Sequence, residues 1–139
     1  MNEYRILVVD DEEDLCEILK FNLENEGYEV DTANSAEDAL KMDISTYDLL
    51  LLDVMMGEIS GFKMASMLKK EKKTAKIPII FITAKDTEND TVTGFNIGAD
   101  DYISKPFSLR EVAARVKAVL RRTRQTETER APEQIAYKS

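Results

Sequence analysis

Leu49-Leu50-Leu51-Leu52-Asp53-Val54-Met55-Met56-Gly57 is the stretch that decides the fold. Four consecutive leucines suit a strand buried on both faces, as in a parallel sheet covered by helices. An ionisable residue directly after them is costly unless it reaches a solvated rim. Asp53 is therefore expected at the C-terminal tip of a strand, where open α/β sheets gather their chemistry. Asp10 and Asp11 end an earlier apolar run, Ile6-Leu7-Val8-Val9, in the same way. In a parallel sheet both tips can share one rim. Three carboxylates there repel one another unless a hard cation joins them, and oxygen-only ligands suit Mg²⁺. An anionic nucleophile beside Mg²⁺ reads as a phosphoryl-transfer site.

Outward from this stretch, strand-like and helix-like patterns alternate. A third apolar run covers Ile77 to Ile82, and weaker ones lie at Tyr28 to Asp31 and Tyr102 to Ile103. Between them, Leu15, Ile18, Leu19 and Leu23 recur at helical spacing, with Gly27 as the C-cap. Ser35 with Asp38, Ser60 before Phe62, Ala65 and Leu68, and Ser108 with Glu111 read as helix starts. Val92 and Phe95 mark a further short helix that stops near Gly98. Five β–α units with short connections imply an α/β fold: a doubly wound five-stranded parallel sheet with five helices.

The chain has 139 residues, 43% of them hydrophobic, enough for one domain with a real core and a tail. No run is long and apolar enough to span a membrane, and no secretory signal opens the chain. Cys16 is the sole cysteine, which excludes an internal disulfide and fits a reducing, cytoplasmic setting. The net charge is −8, and since residues 121–139 are net basic, the body is more acidic still. That argues against direct nucleic-acid binding by the body, because phosphate backbones attract basic faces. Histidine is absent. A histidine that donates phosphate would have to belong to another protein.

Each remaining candidate has a plain structural alternative. Asp11 or Glu12 could simply cap the helix that follows. Thr83, ending Ile79-Ile80-Phe81-Ile82, could cap a turn; in a phosphoryl site its hydroxyl donates to a phosphoryl oxygen. Lys105 could be solvated; facing three carboxylates at a strand tip, it becomes a counter-charge for the transferred group. Pro106 permits a cis bond that aims Lys105 inward. Tyr102 reads by default as a half-buried aromatic on an edge strand, and otherwise as a ring that reports the state of Thr83.

With these residues in place, the chain resembles the receiver domains of bacterial two-component response regulators. The motifs that carry the likeness are ILVVDDE at 6–12, LLLLDVMM at 49–56 with Gly61, FITAK at 81–85 and GADDYISKPF at 98–107. The resemblance spans residues 3–122 and implies a flavodoxin-like sheet of order 2-1-3-4-5. It further implies that Asp53 is the phosphoacceptor and that Asp10, Asp11, Asp53 and the Met55 carbonyl hold Mg²⁺. Thr83 and Lys105 would contact the phosphoryl group, and Thr83 and Tyr102 would form the switch pair. The partner would be a sensor histidine kinase. Such a domain catalyses only its own phosphorylation and dephosphorylation. One motif departs: Gly57 stands where the family usually has proline four residues after the acceptor, which frees that loop.

SLREVAARVKAVLRR at 108–122 resembles the last receiver helix of the winged-helix transcription factors of OmpR/PhoB type. That likeness implies a homodimer formed on phosphorylation. Val92, Phe95 and Ala113 would form its apolar centre, with Asp100 and Asp101 pairing with the partner's Arg122 and the partner's Arg115. Thr91 replaces the cation expected opposite Glu111, so a weaker interface is expected. Residues 1–122 are thus read as the receiver and 123–139 as a hydrophilic linker. The linker would lead to a DNA-binding domain, so DNA would be met only through that domain. The alternative is a standalone receiver acting on a protein partner. A Mg²⁺-dependent phosphatase is disfavoured, because its second acid would fall at Met55. A scaffold that never accepts phosphate is disfavoured by the presence of Asp53, Asp11, Thr83 and Lys105.

Overall fold

A computed structural model describes the backbone of residues 4–84 and 96–136 and the side chains of those residues as far as Thr123. Five strands carry the fold: β1 (Arg5–Val9), β2 (Glu29–Ala33), β3 (Leu49–Asp53), β4 (Ile79–Thr83) and β5 (Asp101–Ser104). They form one parallel sheet in the order β2-β1-β3-β4-β5, as expected. The helices are α1 (Glu13–Asn25), α2 (Ala36–Leu40), α3 (Gly61–Lys69) and α4 (Leu109–Ala136), with a 3₁₀ turn at Ile44–Thr46. The expected helix at Val92 and Phe95 lies outside the described residues.

Alternation along each strand builds two cores. Side chains of successive strand residues point to opposite faces. Leu7, Val9, Leu50, Leu52, Ile79 and Phe81 face α2 and α3, where Ala36, Ala39, Met64, Ala65 and Leu68 close the layer. Ile6, Val8, Leu49, Leu51, Ile80, Ile82 and Ile103 face the other way, against Leu19 and Leu23 of α1 and Val112, Val116, Val119 and Leu120 of α4. With both faces covered, the central strands must be apolar throughout, which is why the leucine run is continuous.

The helix starts are as their sequences suggest. The hydroxyls of Ser35, Ser60 and Ser108 accept hydrogen bonds from the backbone N–H groups of Asp38, Lys63 and Glu111 at 3.0, 3.1 and 3.0 Å. Gly27 closes α1 at a φ of 101°, a left-handed conformation that glycine adopts without cost. α1 differs: Glu12 is its N-cap residue but makes no side-chain capping bond.

Past Arg122 the backbone stays helical. The hydrophilic stretch read as a linker continues α4 as helix to Ala136. Gln, Glu and Arg are hydrophilic and yet good helix formers, so polarity alone does not separate a solvated helix from coil. Among the described residues no helix is long and apolar enough to cross a membrane.

Leu50 is fully buried in β3, midway between β1 and β4. Leu50→Ala is expected to lower unfolding free energy by about 3 kcal/mol through lost burial and a cavity, read from urea melts.

Candidate functional site

The register of the sheet assembles the site. Val9 pairs with Leu52, so the residues one step further, Asp10 and Asp53, emerge side by side at the same rim. Asp53 pairs with Ile82, which sets Thr83 beyond it, and Thr83 pairs with Ser104, which sets Lys105 beyond that. The Lys105 N–H also donates to the Thr83 carbonyl at 2.8 Å. The Lys105–Pro106 bond is cis, the isomer the sequence permits.

The acids meet as expected. Carboxylate oxygens of Asp10, Asp11 and Asp53 lie within 4.8 Å of one another. Asp10 and Asp53 are only 2% and 4% exposed, while Asp11 is open to solvent. The Lys105 ammonium reaches Asp10 Oδ2 at 3.3 Å and Asp53 Oδ1 at 3.9 Å. Its shortest contact is to Glu12 Oε1 at 2.9 Å, a partner not anticipated from sequence, where Glu12 was read only as a cap. The charge pattern DDE held the clue, but nothing local linked it to a lysine 93 residues away.

The electrostatics follow from burial. Burial pushes the Asp53 carboxyl up from its ordinary 3.8 to about 7, and the neighbouring charge of Asp10 pushes the same way. Lys105 and a backbone hydrogen bond from Met55 only partly offset this. Burial also raises Asp10, although Oδ1 accepts the Glu12 N–H at 2.9 Å. For Lys105, burial opposes the charge, but Glu12, Asp10 and Asp53 outweigh it and hold the ammonium above its ordinary range. An acid-only donor set with two dry members, raised for want of positive charge, suits a hard divalent cation of the Mg²⁺ class.

Two supports of this rim escaped the sequence reading. Gly61 opens α3 directly against the Asp53 peptide: a Cβ there would overlap the Asp53 carbonyl oxygen, and the Gly61 N–H donates to the Val54 carbonyl at 2.9 Å. Gly61 had stood out only as part of a motif. On β1, the Asp10 carbonyl accepts from Asn34 and Cys16, residues with no sequence signal toward the site. Thr83 is fully buried at its strand tip. Tyr102 lies opposite Phe81 in the register, ring centroids 6.4 Å apart, and Phe62 packs edge-on against Phe81 at 4.9 Å. Phe81 and Thr83 share a face by alternation, so Tyr102 and Thr83 belong to the same side of the sheet. Gly57 has open space around it, consistent with a loop that no longer needs proline.

The charged residues expected at a dimer face are paired within the chain. Arg115 Nη1 lies 3.0 Å from both carboxylate oxygens of Asp101, and its Nε lies 3.1 Å from Glu111. The Asp100 carboxylate accepts the Ile79 N–H at 3.0 Å, and Arg122 reaches the Asp100 carbonyl at 3.4 Å. Ala113 is half-buried on α4. Val92 and Phe95, the rest of the expected apolar centre, lie outside the described residues, as does Thr91.

Three acids and a lysine gathered at the carboxyl rim of a 2-1-3-4-5 sheet are the layout of a receiver, and the chain belongs to the response regulator receiver domain family, whose profile matches residues 6–117. It is 50% identical over 120 residues to the alkaline phosphatase synthesis transcriptional regulatory protein PhoP of Bacillus subtilis, covering 86% of this chain and 49% of PhoP. It is 46% identical over 127 residues to the transcriptional regulatory protein SrrA of Staphylococcus aureus, covering 91% of this chain and 52% of SrrA. The chain thus spans about half the length of these relatives. Among solved structures, the BeF₃-activated DrrB receiver domain superposes with a TM-score of 0.78 at 31% identity, over 86% of this chain and 99% of that one. DrrB of Thermotoga maritima, described as an OmpR/PhoB homologue, gives 0.79 at 31% identity over 87% of this chain and 54% of that one. The OmpR/PhoB-type resemblance of the last helix agrees with these relatives.

The raised Asp53 gives a signed pH dependence. Folded, Asp53 holds its proton more tightly than when unfolded, so its contribution is present below about pH 4 and is lost as pH rises through about 7. Without divalent metal, Asp53→Asn is therefore expected to raise the melting temperature at pH 8 and to change it far less at pH 4. Thermal melts at the two pH values check both halves.

Proposed function

We propose that this chain is the phosphoacceptor module of a response regulator, taking a phosphoryl group from the phosphohistidine of a sensor kinase onto Asp53. The observation that carries the reading is the nearly dry Asp53 carboxylate at a strand tip, with two further acids and the Lys105 ammonium converging on it. Mg²⁺ would be held by Asp10, Asp11, Asp53 and the Met55 carbonyl, and supplies charge neutralisation on acceptor and phosphoryl oxygens.

The steps themselves belong to the side chains. An ionised Asp53 oxygen attacks phosphorus as the bond to the donor histidine breaks, and the electron pair stays with the histidine nitrogen. Positioning and charge stabilisation are nearly all that such a transfer requires. Lys105 shifts from Glu12 and Asp10 toward the new phosphoryl oxygens. The buried Thr83 hydroxyl donates to one of them. As Thr83 moves, the Tyr102 ring turns into the space on the same side of the sheet. The population of the output face shifts, with no new fold required. Water later cleaves the aspartyl phosphate. The chain changes only itself, so it is a switch rather than an enzyme acting on other substrates, and it works in the cytoplasm beside its kinase.

The output is proposed as a two-fold dimer through the face of Val92, Phe95 and Ala113, which controls a DNA-binding domain beyond the receiver at residues 1–122. Similarity to two transcriptional regulators, about half of whose length the chain matches, supports that reading. In the dimer, Arg115 and Arg122 would exchange partners within their own chain for those of the second, a rim contribution of only about 0–1 kcal/mol per pair.

Treatment with Mg²⁺ and a small phosphodonor, followed by intact mass, tests the reading. One phosphoryl adduct is expected on the wild-type chain and none on Asp53→Ala; an adduct retained by that variant sinks the assignment. Lys105→Ala is expected to bind Mg²⁺ at least as tightly as wild type, since a competing cation is gone, yet to dimerise poorly when phosphorylated. Calorimetric titration and analytical ultracentrifugation report the two effects separately.

A further inference from the structure

The carbonyl oxygen of Asp10 accepts from two side chains for which the phosphoryl chemistry has no use. Asn34 Nδ2 lies 3.1 Å from it and Cys16 Sγ lies 3.3 Å from it. The two donors also touch each other, Nδ2 to Sγ at 3.6 Å. The same residue is held on its other side: the Asp10 N–H donates to the Ala33 carbonyl at 3.1 Å, and Asp10 Oδ1 accepts the Glu12 N–H at 2.9 Å. The peptide that joins Asp10 to Asp11 is planar, so fixing its oxygen fixes the plane. That plane sets the last backbone rotation of Asp10 and the first of Asp11. Those rotations decide where two of the three clustered carboxylates project.

We propose that Cys16 and Asn34 are positioning residues for the divalent-cation site. From α1 and from the turn after β2 they clamp the Asp10–Asp11 peptide, so that both carboxylates converge on Asp53. The inference rests on the reading that these acids hold Mg²⁺. Asn34 is the stronger arm, because an amide N–H is a better donor than a thiol. Asn34 is also only half-buried and outside both cores, so it is not needed to fill volume. Cys16 is buried in the core on the α1 face and both fills volume and donates.

Calorimetric titration with Mg²⁺ at pH 8 tests this on the wild-type chain, Asn34→Ala, Cys16→Ala, Cys16→Ser and the Cys16→Ala/Asn34→Ala double variant, with thermal melts alongside. Partners that orient metal ligands typically contribute ten- to a hundredfold in affinity, so Asn34→Ala is expected to weaken Mg²⁺ binding about tenfold and the double variant more. Cys16→Ser, which keeps a donor, should stay closer to wild type than Cys16→Ala. Phosphodonor labelling of Asn34→Ala should return to the wild-type level at saturating Mg²⁺, since Asp53 itself is untouched. Wild-type Mg²⁺ affinity in the double variant would overturn the inference, whatever its melting temperature. So would a Cys16→Ser loss equal to that of Cys16→Ala together with an unaffected Asn34→Ala. A wild-type chain that binds no Mg²⁺ would instead overturn the reading of the acids as a metal site, and this inference with it.

Discussion

Everything at the working rim depends on one imbalance: too much negative charge in too little water. Asp10 and Asp53 are buried, Asp11 adds a third carboxylate, and among the described residues the cation that reaches them is Lys105. Burial disfavours the charged carboxylates, and the raised Asp53 pKa expresses that cost. A cation held among the carboxylates would relieve it. The rim is therefore a site of unfavourable charge that a bound cation would ease.

The fold creates this imbalance through its register. Parallel strands covered on both faces must be apolar along their length, so polar side chains can appear only where a strand ends. β1 and β3 end level with each other, which makes their first polar residues neighbours. β4 and β5 end one step further on, which delivers Thr83 and then Lys105. Gly61 completes the frame by letting α3 approach the Asp53 peptide without a side chain between them.

Much of this was legible in the sequence because it is written locally. The leucine run, the terminal acids and the serine caps each sit within a few residues of what they explain. The pairing of Lys105 with Glu12 was not, nor the convergence of Asn34 and Cys16 on Asp10, because those contacts join segments far apart in the chain and involve residue types that are usually just solvated or buried. The in-chain pairing of Arg115 with Asp101 was missed for a related reason: a charge pattern names the partners but not the chain that provides them. The helical course beyond Arg122 escaped because hydrophilic composition marks exposure, not backbone shape.

Lys105 stands with one arm in each of two media. Its contact with Asp10 is dry, whereas Glu12 is 62% exposed on its side chain. At physiological ionic strength the screening length is about 8 Å, and screening acts on exposed charges far more than on buried ones. Added salt therefore weakens the outer arm more than the inner one, which runs to Asp10 at 3.3 Å and to Asp53 at 3.9 Å. One ammonium thus answers to the medium on its outer side and to the protein interior on its inner side.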